Sequence, residues 1–305
     1  MDICRSIISH VPTNIYLASR ISMSISVIIL HHNKAEYSRA CLESLSKSSY
    51  RPLEVINVNN GSTDGTAQLL SEWKPEGIEV KTLSFDSNIG AVRGRNEALA
   101  VSTGRRIAFL DNDVILGQAD WLERLSAALD SHENCGIVVP KLLFPFAPFN
   151  IECMGAAISP QGRIHYLERG NAGDAHYEPR EIQGAISASW LMKREVVEKI
   201  GMLDEAYSPV QYEDFDFCYR AREAGYTVWT EPSAEVFHFE HTTTAGSDDI
   251  NFKYVTTKNG ILFKKRWQSR FTVEKGTTEE AAKWQILEKK GIEEVDWQAL
   301  VPKAV

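Results

Sequence analysis

The sequence has no run of about 18 consecutive apolar residues, so no segment reads as a bilayer-spanning helix. It has little cysteine. Cys4, Cys41, Cys135, Cys153 and Cys218 are scattered, odd in number and without a Cys-x-x-Cys pair. That pattern argues against a disulfide framework or zinc site and for reduced thiols in the core, as in a cytoplasmic protein. A basic excess is also missing: 33 Lys and Arg stand against 41 Asp and Glu, a formal net charge of −8. Non-specific nucleic-acid binding needs a basic face, and this balance argues against one. No Gly-x-Ser-x-Gly nucleophile motif, internal repeat or low-complexity tract occurs. What remains is ordinary globular composition, 43% hydrophobic and 24% charged. At 305 residues the chain can form one large α/β domain or two modest ones.

The apolar run Ile107 to Leu110 reads as a short buried strand ending in Asp111-Asn112-Asp113. In open α/β sheets ligands bind beyond the carboxyl ends of strands. Two acids spaced i, i+2 at that place are hard oxygen ligands suited to Mg²⁺ or Mn²⁺ carrying a diphosphate. Taken alone, the triplet reads first as an Asp-rich turn; the rest of the chain reverses that order.

Ser24 to Leu30 has the β-branched profile of a central parallel strand, followed by the glycine-free loop His31-His32-Asn33-Lys34 and a helix over 36–46. A second strand, Glu54 to Val58, runs into Asn59-Asn60-Gly61-Ser62-Thr63-Asp64. That is a tight turn feeding a helix from Thr66 to Trp73, with Ser62, Thr63 or Asp64 as its cap. Strand, polar turn and helix, twice over, make the βαβ pattern. After a third strand at 78–83, Asn88-Ile89-Gly90 enters a helix with Arg93 and Arg95 in its first turns. A helix N-terminus disfavours cations, so a phosphate or carboxylate partner is expected there.

A helix over 121–129 and a strand over 137–139 follow. Residues 144–180 show no strong period beyond a hairpin of 154–159 with 163–167 across Pro160-Gln161-Gly162. A small-residue strand spans 183–192, and a helix over 194–200 stops at Gly201. Glu213, Asp214 and Asp216 open an amphipathic helix, and a strand at 227–229 with the segment 234–241 closes the core. Beyond Asp248 the chain reads as helical and mixed in charge, notably from Glu279 to Lys290.

These pieces, in this order, resemble the family 2 glycosyltransferases in a rhamnosyltransferase-like form, over roughly residues 24–241. The resemblance rests on Ser26–Leu30, Asn60–Thr66, Asn88 to Asn96, Asp111-Asn112-Asp113, Gly201 to Glu205 and Glu213-Asp214-Phe215-Asp216. It implies an α/β GT-A nucleotide-sugar fold, a Rossmann-like and mostly parallel sheet flanked by helices, with a C-terminal helical extension. The divisions are then an extension at 1–23, the transferase domain at 24–247 and a tail at 248–305. The implied activity is inverting transfer of one sugar from a nucleoside-diphosphate sugar to an acceptor hydroxyl, in cell-surface glycan synthesis. The processive synthases' Gln-x-x-Arg-Trp signature is absent.

Carried over position by position, the resemblance makes Asp214 the general base. It places His31, Asn33, Asn59, Asn60, Asn88, Arg93, Arg95, Asp111 and Asn112 around the nucleotide-sugar, and Trp190 and Glu213 on the acceptor side. Asp113, Asp111 and His238 would hold Mn²⁺ or Mg²⁺, with His241 a weaker alternative to His238. Many relatives have Asp where this chain has Asn59, and the amide changes the hydrogen bonds offered to the base or ribose. Asn60-Gly61-Ser62 resembles the rhamnosyltransferase-like version, which implies a dTDP-sugar slightly over a UDP-sugar. Trp190 reads as a sugar-stacking ring. The acceptor is a glycan or a lipid-linked sugar, met at the inner face of the cell membrane. Phe144 to Phe149 and the C-terminal helices could form a peripheral membrane or acceptor edge or equally be buried core, and the tail after Asp248 could mediate a homodimer. Two alternatives stand beside this reading: a non-catalytic nucleotide-sugar binder and a sugar nucleotidyltransferase. Intact Asp111, Asp113 and Asp214 oppose the first, and the glycine-free loop after the first strand opposes the second.

Overall fold

A computed structural model of the protein describes residues 24–240, 242 and 250–303. The expected extension at 1–23, Cys4 and His241 lie outside the described residues. Three βα units open the chain: β1 (Ile25–His31) with α1 (Ala35–Ser46), β2 (Leu53–Asn60) with α2 (Thr66–Glu72), and β3 (Ile78–Phe85) with α3 (Ala91–Val101). They lead to β4 (Arg106–Asp111), which pairs parallel to β1, as do β2 to β1 and β3 to β2. The β1 and β2 runs are almost wholly buried, as strands covered by helices on both faces must be.

Past β4 the pattern changes. β5 (Val114–Leu116), α4 (Trp121–Ser131), β6 (Cys135–Leu143) and β7 (Ile151–Cys153) come next. β8 (Ala156–Ile158) and β9 (Ile164–Tyr166) form the expected hairpin as a separate two-stranded sheet. β10 (Arg180–Glu181), β11 (Ser189–Lys193) and α5 (Arg194–Ile200) precede α6 (Glu213–Glu223) and β12 (Thr227–His238). The main sheet runs β10-β12-β6-β11-β4-β1-β2-β3, with β11 inserted antiparallel between β4 and β6. The sheet is therefore parallel on its nucleotide-type half and mixed on the other.

Three expectations are corrected. The strand read over 183–192 is ordered as a strand only from Ser189; residues 183–188 form a loop beside the cavity. The strand at 227–229 and the segment at 234–241 are one strand, β12, with a register shift between Glu231 and Glu235. In the tail the helix is α7 (Phe252–Glu274), whereas Glu279 to Lys290 is not helical. Val255, Asn259, Phe263, Trp267 and Phe271 of α7 are buried at four-residue spacing, a stripe that docks it on the domain. No described helix is long and apolar enough to cross a membrane. Of the Phe144–Phe149 aromatics, Phe144 is buried and Phe149 packs against Phe237 while 38% exposed. The four described cysteines are free and buried, as expected of core thiols.

Candidate active site

β1, β2 and β4 end at one edge of the sheet, and the turns that leave them are tied together by amides. The Asn60 side chain donates to Asn88 Oδ1 at 2.9 Å and accepts from the Ile89 N–H at 2.9 Å. Gly61 has φ +70°, and a Cβ there would lie 2.4 Å from the Ser87 backbone; only glycine permits this approach. Asp64, of the three residues expected to cap the next helix, accepts from the Thr66 N–H at 2.9 Å. The tight turn is thus built as its sequence implied.

Beyond this edge lies a cavity of about 620 Å³. Asn60, Asn88, Arg95, Asp111, Asn112, Asp113, Glu213, Asp214 and His238 all line it, so it gathers most of the residues named from the sequence. One ligand atom from each of Asp111, Asp113 and His238 lies within 4.8 Å of the others. His238 Nε2 is 3.3 Å from Asp113 Oδ1. Two carboxylates and an imidazole suit a divalent ion such as Mn²⁺. Burial pushes the Asp113 carboxyl up, but His238 and the Thr242 hydroxyl outweigh it and hold it below the usual range. Asp111 moves the other way: burial raises it despite Arg95. Asn112 turns its amide onto Ser38 at 3.0 Å, tying the triplet to α1.

Arg95 has the carboxylate partner its place in α3 called for. It is buried, binds Asp111 at 2.5 Å and Ser187 at 2.5 Å, and lies 3.6 Å from Glu213. One guanidinium therefore bridges the Asp111 end of the cavity and the start of α6. There Gln211 and Tyr212 adopt positive φ, 82° and 71°, immediately before Glu213-Asp214. Such backbone is sparsely populated and persists only where surroundings hold it. Asn259 of α7 holds it here, donating to the carbonyls of Tyr207 at 2.6 Å, Val210 at 2.8 Å and Gln211 at 3.0 Å.

Asp214 accepts from the Phe215 N–H at 2.8 Å and from the Ser187 N–H at 3.4 Å. Burial pushes its carboxyl up to about 6, against Phe215 and Arg95, which favour the charged form. Glu213 is pushed up to about 8 by burial and by the neighbouring Asp214 charge. Burial and mutual repulsion thus both disfavour a second negative charge on this adjacent pair.

Several residues named from the sequence lie off the cavity. His31 is fully buried, with Nδ1 2.9 Å from Ser38 and Nε2 3.1 Å from Asn57; burial lowers its pKa to about 4. The lining histidine is its neighbour His32. Asn33 accepts from the Thr63 N–H and Asn59 from the Ser62 N–H, so both shape turns. Arg93 is exposed and paired with Glu205 at 3.1 Å. Trp190 is fully buried and stacked on Phe109 at 5.4 Å, so its ring fills the core and meets no sugar.

Aromatic side chains also line the cavity: Tyr166, Tyr212, Phe215 and the half-exposed Trp284. Arg169 lies over the Trp284 ring at 4.3 Å, and Tyr166 meets it edge-on at 5.2 Å. Sequence reasoning missed Trp284 because its surroundings carry no periodic pattern. It also missed Glu152, whose one signal is a lone acid inside the apolar run Ile151 to Met154.

The family model for glycosyl transferase family 2 matches residues 26–201, more than half of the chain. The chain belongs to glycosyl transferase family 2. A curated relative from Sinorhizobium fredii (strain NBRC 101917 / NGR234), uncharacterized protein y4gI, is 30% identical over 255 residues, covering 80% of this chain. The chain spans only 28% of that relative's length. Its fold is similar to the crystal structure of GalNAc-T7 with UDP, GalNAc and Mn²⁺, with a TM-score of 0.65 and 16% identity. That match covers 82% of this chain and 50% of that one. It is also similar to the mannosyltransferase PcManGT from Pyrobaculum calidifontis in complex with GDP-Man and Mn²⁺. There the TM-score is 0.53 at 16% identity, covering 85% of this chain and 77% of that one. At such identities the likeness establishes the family 2 chain's GT-A fold.

Proposed function

We propose that the protein is an inverting glycosyltransferase that moves one sugar from a nucleoside-diphosphate sugar to an acceptor hydroxyl. The observation that carries this reading is the sharing of one cavity by the Asp111–Asp113–His238 cluster and Asp214. Inversion is a single displacement, so it needs one base and a stabilised leaving group, and no covalent nucleophile. A divalent cation held by Asp113, Asp111 and His238 would neutralise charge on the departing diphosphate. Asp214 takes the acceptor proton as the acceptor oxygen bonds to the anomeric carbon and the sugar–diphosphate bond breaks, its electron pair leaving with the diphosphate. A carboxylate raised to about 6 by burial is ionised at neutral pH yet more basic than an ordinary Asp. Arg95, which binds Asp111 and lies 3.6 Å from Glu213, favours the charged form of the base.

Residues 24–247 would form the transferase unit, with 248–305 as an extension that lines its acceptor side through α7 and Trp284. The aromatic lining suits the apolar face of a sugar ring, whether in a glycan or a lipid-linked acceptor. The similar structures contain UDP in one case and GDP-Man in the other. The donor base is therefore best tested as a panel rather than as the dTDP or UDP pair alone.

The test is thermal-shift binding of UDP, dTDP, GDP and CDP with and without Mn²⁺. One base should raise stability in a Mn²⁺-dependent way, by about 2.7 kcal/mol at a hundredfold excess over Kd. Asp113→Ala should abolish that shift. A folded protein that responds to none of the four diphosphates overturns the reading.

A further inference from the structure

Glu152 sits in the three-residue strand β7, fully buried, with His238, Arg169 and Glu240 as its charged neighbours. Its Oε2 is 2.7 Å from His238 Nδ1, while the opposite ring nitrogen, Nε2, faces Asp113 Oδ1 at 3.3 Å. The other carboxylate oxygen, Oε1, is buried without a hydrogen-bond partner among the described residues. A buried carboxylate is costly unless it is paired, and the side-chain partner of this one is His238. The backbone holds it firmly: its carbonyl accepts from Arg169 Nη1 at 3.3 Å, and β7 is laddered to β6 beside it.

We propose that Glu152 is a positioning residue that orients His238 for cation binding. The inference rests on the proposed metal role of Asp111, Asp113 and His238. An imidazole can ligate only through a nitrogen that carries no proton, and which nitrogen that is depends on the hydrogen bond made by the other. A carboxylate accepting from Nδ1–H fixes the proton there, leaves Nε2 to face the cluster and fixes the ring plane. Partners of this kind typically alter metal affinity about 10- to 100-fold when removed. Glu152 itself touches no reacting atom in this scheme. Its strand supplies a second attachment for His238, whose own strand β12 is laddered to β5 at Val114.

The test titrates Mn²⁺ into the full chain with each of the four nucleoside diphosphates, reading the free ion by electron paramagnetic resonance. Affinity is expressed per folded protein, using the thermal transition of each variant. Glu152→Ala should weaken Mn²⁺ binding about 10- to 100-fold. Glu152→Gln, which keeps a carbonyl oxygen able to accept from Nδ1–H, should recover part of that loss. Wild-type affinity in both variants overturns the proposal and leaves Glu152 a residue of the fold. A Gln variant as weak as the Ala variant also overturns it, since charge or direct ligation would then be at work. A wild-type chain that binds no Mn²⁺ overturns the metal reading itself, which separates the two failures.

Discussion

One set of side chains lining the cavity sits on strand ends or in the turns that leave them. Asn60 closes β2, Asp111 closes β4, Asp113 follows two residues later, and His238 closes β12. A second set of lining side chains is aromatic: Tyr166 comes from a short hairpin, Tyr212 from a left-handed turn and Trp284 from an irregular segment. The first set is polar and charged, the second apolar in its ring faces. A sheet edge fixes its atoms through many ladder hydrogen bonds, which suits a diphosphate and cation whose geometry does not vary. Loops and tail segments are freer to change without disturbing the core. Asp214 lies between the two sets; Arg95 favours its charged form, and Asn259 holds the turn that precedes it.

If the two sets are separable in this way, changing Asp214 should stop chemistry without stopping donor binding. Asp214→Asn is expected to lower transfer by about 10²- to 10⁴-fold, the range for loss of a general base. Its Mn²⁺-dependent nucleotide binding should stay at the wild-type level. Steady-state rates beside thermal-shift titrations check both halves. A variant that also loses the nucleotide would show that Asp214 belongs to the donor set, and the division would fail.

The same contrast explains what the sequence made legible. Regular strands followed by Asn-Gly and Asp-x-Asp turns state their place in the fold locally, so the sheet edge and the cavity's Asn60, Asp111, Asp113 and Asp214 could be named in advance. His31 and His32 are adjacent, and only the side of the strand each one faces decides which lines the cavity. Trp190 misled for a related reason: its segment reads as the acceptor side, but its ring is fully buried and stacked on Phe109. Trp284 becomes a lining residue only through contacts with Arg169 and Tyr166, more than a hundred positions earlier in the chain, and no local pattern announces such contacts.

The aromatic set can be sharpened by Trp284→Ala. Losing a ring contact of about 0.5–1.5 kcal/mol corresponds to roughly a 2- to 13-fold rise in acceptor KM. Donor KM and Mn²⁺ affinity should not change. An equal effect on donor and acceptor would make Trp284 part of the fold rather than of the acceptor side.

The smallest effect concerns the paired acids between the two sets. Glu213 ordinarily titrates near 4.5 but in the folded chain at about 8, so it binds its proton more tightly folded than unfolded. Its contribution to stability is therefore fully present below about 4.5 and is lost as pH rises through 8. Asp214 loses its own contribution earlier, through about 6, and over that same step becomes the ionised base, so kcat/KM should rise where stability begins to fall. Glu213→Gln removes the upper step only. Its thermal stability should decline less than the wild type's between about pH 6 and 8, while the activity limb near 6 stays in place, since Asp214 already has a neutral neighbour there. If the variant instead moves that limb to lower pH, Glu213 is ionised beside the base at neutral pH. The pair would then hold two charges facing Arg95 rather than one.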